Sequence, residues 1–213
     1  MKGEDLPLFF KYMNKFLSTV VVSGLSGGAG KTLCTIGLIA ELKKRGFKIA
    51  PFKKGPDFID MAWLSRAAMR QCRNLDIYLI GEPKTEDSFY KWSYDVDISI
   101  IEGNRGLFDG FDEKGSFSTA NLAKLLLTKV MLILDCTKMT SSVAAIITGC
   151  QNFDPQLKIS GVILNRIAGY RHEKILKDSI SYHTDIPVVG IIPKLKEDII
   201  FERHLGLLPP QEH

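Results

Sequence analysis

The run Gly27-Gly28-Ala29-Gly30-Lys31-Thr32 has the residue types and spacing that bind phosphate. It follows an apolar segment and precedes a helical pattern, so the glycines form a loop between a strand and a helix. Glycines let the backbone curl, so that several N–H groups and the helix N-terminus face one anion. Lys31 can then reach the β- and γ-phosphates of a nucleotide, and the Thr32 hydroxyl can bind Mg²⁺. We therefore expect the stretch from Ser26 to Thr32 to bind a nucleotide.

One position departs from the strict phosphate-loop pattern. The pattern has a glycine five residues before Gly30, where this chain has Leu25, and Gly24 lies one residue earlier. A glycine-rich turn that contains Gly-Lys-Thr by chance is the alternative interpretation. The succession of strand, loop and helix favours the phosphate site.

Carboxylates follow two further predicted strands, where a nucleotide site that uses Mg²⁺ needs them. Asp57 and Asp60 stand in a loop that a Gly-Pro turn makes rigid. We expect Asp57 to bind the metal, while Asp60 is either a site residue or the N-cap of the next helix. Glu102 follows an apolar run, and a carboxylate there loses solvation energy unless it is paired or bound to metal. We favour the metal role for Glu102 over an ion pair with Lys31 alone.

Two more predicted strands end in polar side chains. Asp135 could contact Mg²⁺ through water, hold Lys31 or cap the following helix. Asn165 and Arg166 follow the next strand, and an amide can read an adenine edge because it offers both a donor and an acceptor. We therefore expect Asn165 and Arg166 to contact the nucleotide.

Strand-like and helix-like segments alternate along the chain. The strand candidates are rich in Val and Ile, and several are apolar on both faces, which is typical of a buried parallel sheet. They comprise residues 19–23, 48–52, 96–101, 130–135, 159–164 and 188–192. The helix candidates comprise residues 33–45, 61–70, 118–128, 141–151 and 170–182, with Ser118 as an N-cap. This alternation predicts an α/β fold with a doubly wound, mostly parallel sheet and its ligand at the carboxyl ends of the strands.

Composition limits the classes of protein to consider. The chain has 213 residues, of which 45% are hydrophobic, and this is enough for one large α/β domain. Its net charge of +4 is spread along the sequence and does not indicate a nucleic-acid surface. No run reaches the length of a membrane span, and the four cysteines lack metal-type spacing, so we expect a cytoplasmic protein. We expect an N-terminal extension over residues 1–17, one domain over 18–207 and the start of a linker over 208–213.

Several specific motifs occur in a fixed order along the sequence. They comprise Ser26-Gly-Gly-Ala-Gly-Lys-Thr32, Pro51-Phe-Lys-Lys-Gly-Pro-Asp-Phe-Ile-Asp60, Arg73-Asn-Leu-Asp76, Glu102-Gly-Asn-Arg-Gly-Leu-Phe-Asp-Gly110, Gly161-Val-Ile-Leu-Asn-Arg166 and Glu202-Arg-His-Leu-Gly-Leu207. In these motifs the chain resembles the ATP-binding domain of the cobyrinic acid a,c-diamide synthases, amidotransferases that act on carboxylates of corrins and related tetrapyrroles. The resemblance implies a P-loop NTPase fold similar to those of MinD and dethiobiotin synthetase.

The resemblance also implies the chemistry of an ATP-dependent carbon–nitrogen ligase. ATP phosphorylates a peripheral carboxylate of the macrocycle, and ammonia then displaces the phosphate to give an amide. In that scheme Lys31 neutralises the transferring phosphoryl group, while Thr32, Asp57 and Glu102 hold Mg²⁺.

The loop from Asp57 to Asp60 faces the macrocycle in the family that the chain resembles. This implies that Phe58 and Ile59 contact the substrate and help to set which carboxylate reacts. Asp60 and Asp109 would be catalytic residues at the substrate or ammonia end. Alternatively, Phe58 is a core residue that anchors the loop.

Two features differ from the cobyrinate enzymes. Those enzymes continue into a glutaminase domain with a nucleophilic cysteine, and none of the four cysteines here stands in a nucleophile-elbow sequence. Ammonia is therefore expected from a domain or subunit outside this chain, or as free ammonia, and a homodimer is compatible with the pattern. Asn104-Arg105 stands in place of apolar residues and is associated with relatives of sirohaem metabolism. Sirohaem or sirohydrochlorin is thus an alternative substrate.

Two other kinds of protein share the expected fold. Dethiobiotin synthetase has a lysine-proline loop where this chain has Gly55-Pro56-Asp57. Partitioning ATPases of the MinD and ParA type carry a signature lysine five residues before the loop lysine, and Ser26 occupies that position here. Both differences favour the amide-forming synthetase, with a ligase related to dethiobiotin synthetase and a regulatory ATPase as the alternatives.

Overall fold

A parallel sheet of seven strands forms the centre of the computed structural model, which describes residues 18–195 and the backbone of residues 202–203 and 206–207. The strands of this sheet are β1 (Ser18–Gly24), β2 (Ile49–Lys54), β3 (Arg73–Leu75), β4 (Ile98–Glu102), β5 (Lys129–Asp135), β6 (Ile159–Ile167) and β7 (Val188–Pro193). They lie in the order β3-β2-β4-β1-β5-β6-β7. The expected extension over residues 1–17 and the linker over 208–213 lie outside the described residues.

Helices connect the strands and cover both faces of the sheet. They are α1 (Lys31–Lys44), α2 (Ile59–Ala68), α3 (Ile77–Ile80), α4 (Glu82–Ser93), α5 (Thr119–Leu125), α6 (Ser142–Phe153) and α7 (Tyr170–His183). A short antiparallel pair, β8 (Glu202–Arg203) with β9 (Gly206–Leu207), follows the sheet. The prediction of a doubly wound α/β fold is confirmed, and the sheet is parallel throughout the part of the chain described.

Two hydrophobic clusters, one on each face of the sheet, form the core. Successive residues of β1 point to opposite faces, so Val21 belongs to the cluster that contains Phe89 of α4 and Leu176 of α7, while Val22 belongs to the cluster that contains Ile39 of α1. Because the middle of β1 is covered on both faces, Val20, Val21 and Val22 are apolar without alternation. The strand thereby brings its carboxyl end, where the glycine loop begins, to the middle of the sheet edge.

The sequence patterns did not predict β3, α3, α4 or the short pair of β8 and β9. Strand β3 has only three residues, which is too short for a periodic pattern. Helix α3 is a single turn. Helix α4 buries Thr85 and Ser93 together with Phe89, so its buried face carries little apolar periodicity. The expected N-cap Ser118 is confirmed, because its side chain and that of Asn121 form a capping box at the start of α5.

Candidate functional site

The glycine loop between β1 and α1 has the backbone shape of a phosphate site. Gly28 and Gly30 have φ angles of 71° and 92°, in the left-handed region that favours glycine. No side chain of the described residues caps the start of α1. The N–H groups of its first turn therefore remain available to an anion, and the helix dipole adds to the attraction.

Lys31 folds back over this loop. Its ammonium group donates a hydrogen bond of 2.7 Å to the carbonyl oxygen of Ser26, and only 8% of the residue is exposed. Burial, followed by the charge of Lys53, lowers the pKa of Lys31, and the carboxylates Glu102, Asp60 and Asp109 oppose the change. The charge of Lys31 is therefore held within the loop that surrounds the expected phosphates.

Glu102 lies at the carboxyl end of β4, opposite Val22 of β1, and is fully buried. Its Oε1 accepts hydrogen bonds of 2.7 Å from the Thr32 hydroxyl and from the Lys53 ammonium. Its Oε2 is buried and has no hydrogen-bond partner within the part of the chain that the structure describes. Burial raises the pKa of Glu102, although Lys53 opposes the shift.

The unpartnered oxygen of Glu102 provides a test of whether the site fits Mg²⁺. A buried carboxylate oxygen without a partner is costly, whereas a hard cation satisfies it. Thr32, another of the three expected ligands, contacts the same carboxylate. Across the described residues, no group of three or more His, Cys, Asp or Glu side chains is arranged to hold a metal ion. The residues thus fit a Mg²⁺ ion whose remaining coordination positions are filled by phosphate oxygens and water, an arrangement that is common for this ion.

Lys53 is the site residue that sequence reasoning missed. It lies in β2 in register with Glu102 of β4, and 2% of it is exposed. Its ammonium group joins Asp60 Oδ2, at 2.6 Å, to Glu102 Oε1, at 2.7 Å. Burial alone lowers the pKa of Lys53, but the two carboxylates hold it above its ordinary value. The sequence does contain a signal for this residue, because Lys53 directly follows an apolar strand segment. A lysine that is buried in such a position needs an acidic partner.

Asp57 and Asp60 have different tasks in the loop that leads into α2. Asp57 Oδ1 accepts the backbone N–H of Asp60 at 2.9 Å, so Asp57 stabilises the start of the helix. The alternative that Asp60 is the N-cap is wrong, because its carboxylate binds Lys53 instead. Burial and the neighbouring Asp60 raise the pKa of Asp57. Metal binding by Asp57 stays a prediction.

Asp109 belongs to a turn that contacts the glycine loop. Its Oδ2 accepts the backbone N–H of Gly106 at 3.0 Å. A Cβ at Gly106 would lie 2.5 Å from the carbonyl oxygen of Leu25, so only glycine allows this close approach. The backbone N–H of Leu107 in the same turn donates a hydrogen bond of 2.7 Å to the carbonyl oxygen of Gly24, so the turn lies against the start of the phosphate loop. Its catalytic role stays a prediction.

Asn165 supports the glycine loop from β6. Its side-chain amide donates a hydrogen bond of 2.9 Å to the carbonyl oxygen of Ala29 and accepts the backbone N–H of Arg166 at 2.9 Å. A Cβ at Gly30 would collide with this amide. Contact of Asn165 with adenine stays a prediction, and the structure adds a supporting role beneath the loop.

Arg166 and Asp135 form an ion pair at the carboxyl ends of β5 and β6. Asp135 Oδ1 also accepts hydrogen bonds from the backbone and the hydroxyl of Thr137. Burial by itself raises the pKa of Asp135, but these hydrogen bonds and Arg166 hold it below its ordinary value. Asp135 therefore pairs with Arg166, whereas Lys31 binds the carbonyl oxygen of Ser26. The expected contact between Asp135 and Lys31 does not form.

Phe58 lies on the surface, and this excludes its interpretation as a core residue. The residue is 79% exposed, whereas its neighbour Ile59 is half-buried. A second apolar feature follows β3 and β4 at the same edge, where the rings of Tyr78 and Phe111 stack with centroids 5.2 Å apart. Both rings are more than half exposed. Segments that follow the carboxyl ends of β2, β3 and β4 therefore present exposed apolar side chains.

No helix in the described part of the chain is long and apolar enough to cross a membrane.

Several curated proteins similar to this chain share one name. The chain is 47% identical over 191 residues to the cobyrinate a,c-diamide synthase of Magnetococcus marinus, an alignment that covers 90% of this chain and 41% of that protein. It is 42% identical over 198 residues to the enzyme of the same name from Listeria innocua, with 92% of this chain and 44% of that protein covered. The chain thus spans less than half the length of these relatives.

Solved structures show similarity in fold alone. The hydrogenase maturation factor HypB from Archaeoglobus fulgidus superposes with a TM-score of 0.56 at 14% identity, over 87% of this chain and 84% of that one. Chloroplast FtsY from Physcomitrella patens gives a TM-score of 0.58 at 14% identity, over 84% of this chain and 59% of that one. Both support the P-loop NTPase fold.

A family model covers nearly the whole of the described domain. The match to the CobQ/CobB/MinD/ParA nucleotide binding domain runs over residues 20–205, from β1 to the short strand pair after the sheet. It includes the glycine loop, Lys53 and Glu102. The chain belongs to this family of nucleotide-binding domains.

Proposed function

We propose that this chain is the ATP-dependent, amide-forming domain of an enzyme of the cobyrinate a,c-diamide synthase type. The observation that carries the proposal is the contact between Thr32 of the phosphate loop and the buried Glu102, whose second oxygen is unpartnered. Such a pair suits a metal-assisted phosphoryl transfer. The similarity to the curated relatives from Magnetococcus and Listeria supports the assignment of the reaction.

The proposed reaction has two steps on one carboxylate of a tetrapyrrole. A carboxylate oxygen attacks the γ-phosphorus of ATP, the bond from that phosphorus to the ADP oxygen breaks, and an acyl phosphate forms. Ammonia then attacks the acyl carbon, phosphate leaves with the carboxylate oxygen, and nitrogen loses a proton. The products are an amide, ADP and inorganic phosphate.

Positive charge and metal ligands at the glycine loop would serve the first step. Lys31 lies where its ammonium group can neutralise charge on the transferring phosphoryl group. Thr32, Asp57 and Glu102 would hold Mg²⁺, which when bound neutralises phosphate charge and orients the γ-phosphate. Asp109, close to Lys31, would act at the end of the site where the acyl phosphate meets ammonia.

The exposed apolar residues at this edge support a tetrapyrrole as substrate. Phe58 is 79% exposed beside Asp57, and a flat macrocycle has apolar faces together with carboxylates at its rim. The stacked rings of Tyr78 and Phe111 extend the apolar surface. We propose that Phe58 and Ile59 contact the macrocycle and help to select the carboxylate.

A second macrocycle class has one specific observation in its favour. Arg105 is exposed after β4, with a φ angle of 50°, and Asn104 packs against Gly55 of the acidic loop. These polar residues stand near the proposed mouth of the site, where the cobyrinate enzymes are apolar. Sirohydrochlorin or sirohaem is therefore the alternative substrate.

The ammonia would come from a glutaminase domain or subunit, or from solution. The thiols in the described residues are poor candidates for a glutaminase nucleophile. Burial raises the pKa of Cys34 and of Cys136 to about 11, and it also raises the pKa of Cys72 and of Cys150. A thiol of high pKa is protonated at neutral pH and is a weak nucleophile.

The proposal is tested with the purified chain, Mg-ATP and ammonium ions, against cobyrinate, sirohydrochlorin and sirohaem in turn. Mass spectrometry detects the amide, and ADP release is measured in parallel. We expect an amide from at least one of the three macrocycles, with one ADP formed for each amide. ADP release that no macrocycle stimulates, without any amide, would instead favour a regulatory ATPase.

A further inference from the structure

Lys53 occupies an unusual position for a lysine. It is 2% exposed, and its side chain lies between two acidic groups from different elements, Asp60 at the start of α2 and Glu102 at the end of β4. The Cα atoms of Lys53 and Glu102 are in register across neighbouring strands. The lysine therefore connects three elements at the edge of the sheet that carries the phosphate loop.

The contacts of Glu102 are divided unequally between its two oxygens. Oε1 accepts both the Lys53 ammonium and the Thr32 hydroxyl, each at 2.7 Å. Oε2 is buried and accepts no hydrogen bond from the described residues. With Oε1 held in this way, the carboxylate has a fixed orientation and keeps Oε2 free.

We propose that Lys53 is a positioning residue, whose ammonium group holds Asp60 and Glu102 in place so that Glu102 offers its free oxygen to the metal of the bound nucleotide. This inference rests on the proposed Mg-ATP site, and not on the identity of the macrocycle. Lys53 contacts neither phosphate nor macrocycle in this assignment. It acts through Glu102, the carboxylate that would bind the metal.

Electrostatics alone predicts the opposite effect of Lys53 on the metal. A lysine next to a metal site repels a divalent cation, so its removal should strengthen metal binding if charge were the only factor. Removal also leaves the buried Glu102 and the partly buried Asp60 without their shared partner, and an uncompensated buried charge is strongly unfavourable. Because Glu102 is wholly buried, we expect the loss of its anchor to dominate, and metal binding to weaken.

The experiment compares Lys53→Met with Lys54→Met in the full chain. Lys54 is the next residue of the same strand and is only half-buried, and Glu102 has no hydrogen bond with it. Each variant therefore removes one positive charge from the same strand, on opposite faces of the sheet, but only Lys53→Met removes the anchor of Glu102. The probe is Mn²⁺ with a non-hydrolysable ATP analogue, and electron paramagnetic resonance measures free Mn²⁺.

We expect Lys53→Met to bind Mn²⁺ about 10- to 100-fold more weakly, the usual effect of losing a residue that orients a metal ligand. The affinity of Lys54→Met for Mn²⁺ should stay within about threefold of that of the original chain, because Lys54 does not orient Glu102. Circular dichroism establishes that each variant is folded. If Lys53→Met does not fold, Lys53→Gln takes its place, since it keeps a hydrogen-bond donor, and the same loss of affinity is expected.

Unchanged or tighter Mn²⁺ binding by a folded Lys53 variant would overturn the inference, as would equal weakening in both lysine variants. Failure of the original chain to bind Mn²⁺ with the analogue would overturn the proposed ATP site as well. Intact metal binding without any amide product would count against the proposed reaction alone.

Discussion

The hydroxyl of Thr32 donates a hydrogen bond of 2.7 Å to Glu102, a residue 70 positions further along the chain. This contact joins the start of α1 to the end of β4 and so connects the phosphate loop with a buried carboxylate. Thr32 and Glu102 are both expected ligands of Mg²⁺, and the fold places the two in direct contact.

Lys31→Ala should remove most of the binding of Mg-ATP. The variant loses a charge-assisted hydrogen bond of roughly 1.5–3 kcal/mol, so calorimetry should show affinity lower by about 10- to 100-fold. Lys44→Ala, at the exposed end of the same helix, is the matched control and should bind as the original chain does. Equal ATP affinity in the Lys31 variant would exclude the phosphate-loop assignment.

Glu102→Gln should keep part of the nucleotide binding and lose the turnover. The substitution preserves shape but removes the charge that faces Thr32, Lys53 and the proposed metal. Glu41→Gln removes an exposed carboxylate that pairs only with Arg45 among the contacts described, and it should leave ADP release unchanged. Normal ADP release by the Glu102 variant would show that this residue is structural.

The phosphate loop and its main carboxylate could be predicted from sequence because local signals determine them. The loop has glycines at positions that need positive φ, and Glu102 interrupts an apolar run at the end of a strand. Since parallel strands end at one edge, the two were expected to meet. The structure confirms that they do.

The partner of Glu102 could not be predicted in the same way. Lys53 meets Glu102 because β2 and β4 are neighbours, and that order depends on packing between segments 49 residues apart. Helix α4 was missed for a related reason, since its buried Thr85 and Ser93 give no apolar signal without the helix's neighbours. Strand order and polar burial are properties of the whole fold.

Gly30→Ala should lower both the stability and the ATP affinity. Gly30 has a φ angle of 92°, a conformation that costs an alanine about 1–2 kcal/mol in backbone strain alone. It also lies against the Asn165 amide, which an added methyl group would contact too closely. Gly149→Ala is the control, because this glycine lies in α6 with open space around it. That variant should be more stable by about 0.5–1 kcal/mol. Thermal melting with and without ATP compares the two, and opposite changes in melting temperature are expected.

Glutamine as the sole nitrogen donor should give no amide with this chain, whereas ammonium at high pH should. The expectation follows from the four cysteines, whose thiol pKa values are raised by burial. Mass spectrometry of parallel reactions measures the product. A glutamine-dependent amide from the pure chain would contradict the expected external source of ammonia.

Phe58→Ala should alter which carboxylate is amidated, or the ratio of mono- to diamide, with little effect on melting temperature. Loss of an apolar contact changes discrimination by about 1–3 kcal/mol, and an exposed side chain contributes little to stability. Tyr182→Ala removes a residue that is 84% exposed, at the end of α7 and before β7, and should leave the product pattern unchanged. An unaltered pattern in the Phe58 variant would remove this residue from the substrate site.

The transfer of oxygen from the macrocycle to phosphate tests the central claim most directly. The substrate carboxylates are labelled with heavy oxygen, and the chain is supplied with Mg-ATP and ammonium ions. An acyl phosphate intermediate predicts one labelled oxygen in inorganic phosphate for each amide formed, measured by mass spectrometry of the phosphate. Amide formation that leaves the phosphate unlabelled would contradict activation of the carboxylate by phosphorylation.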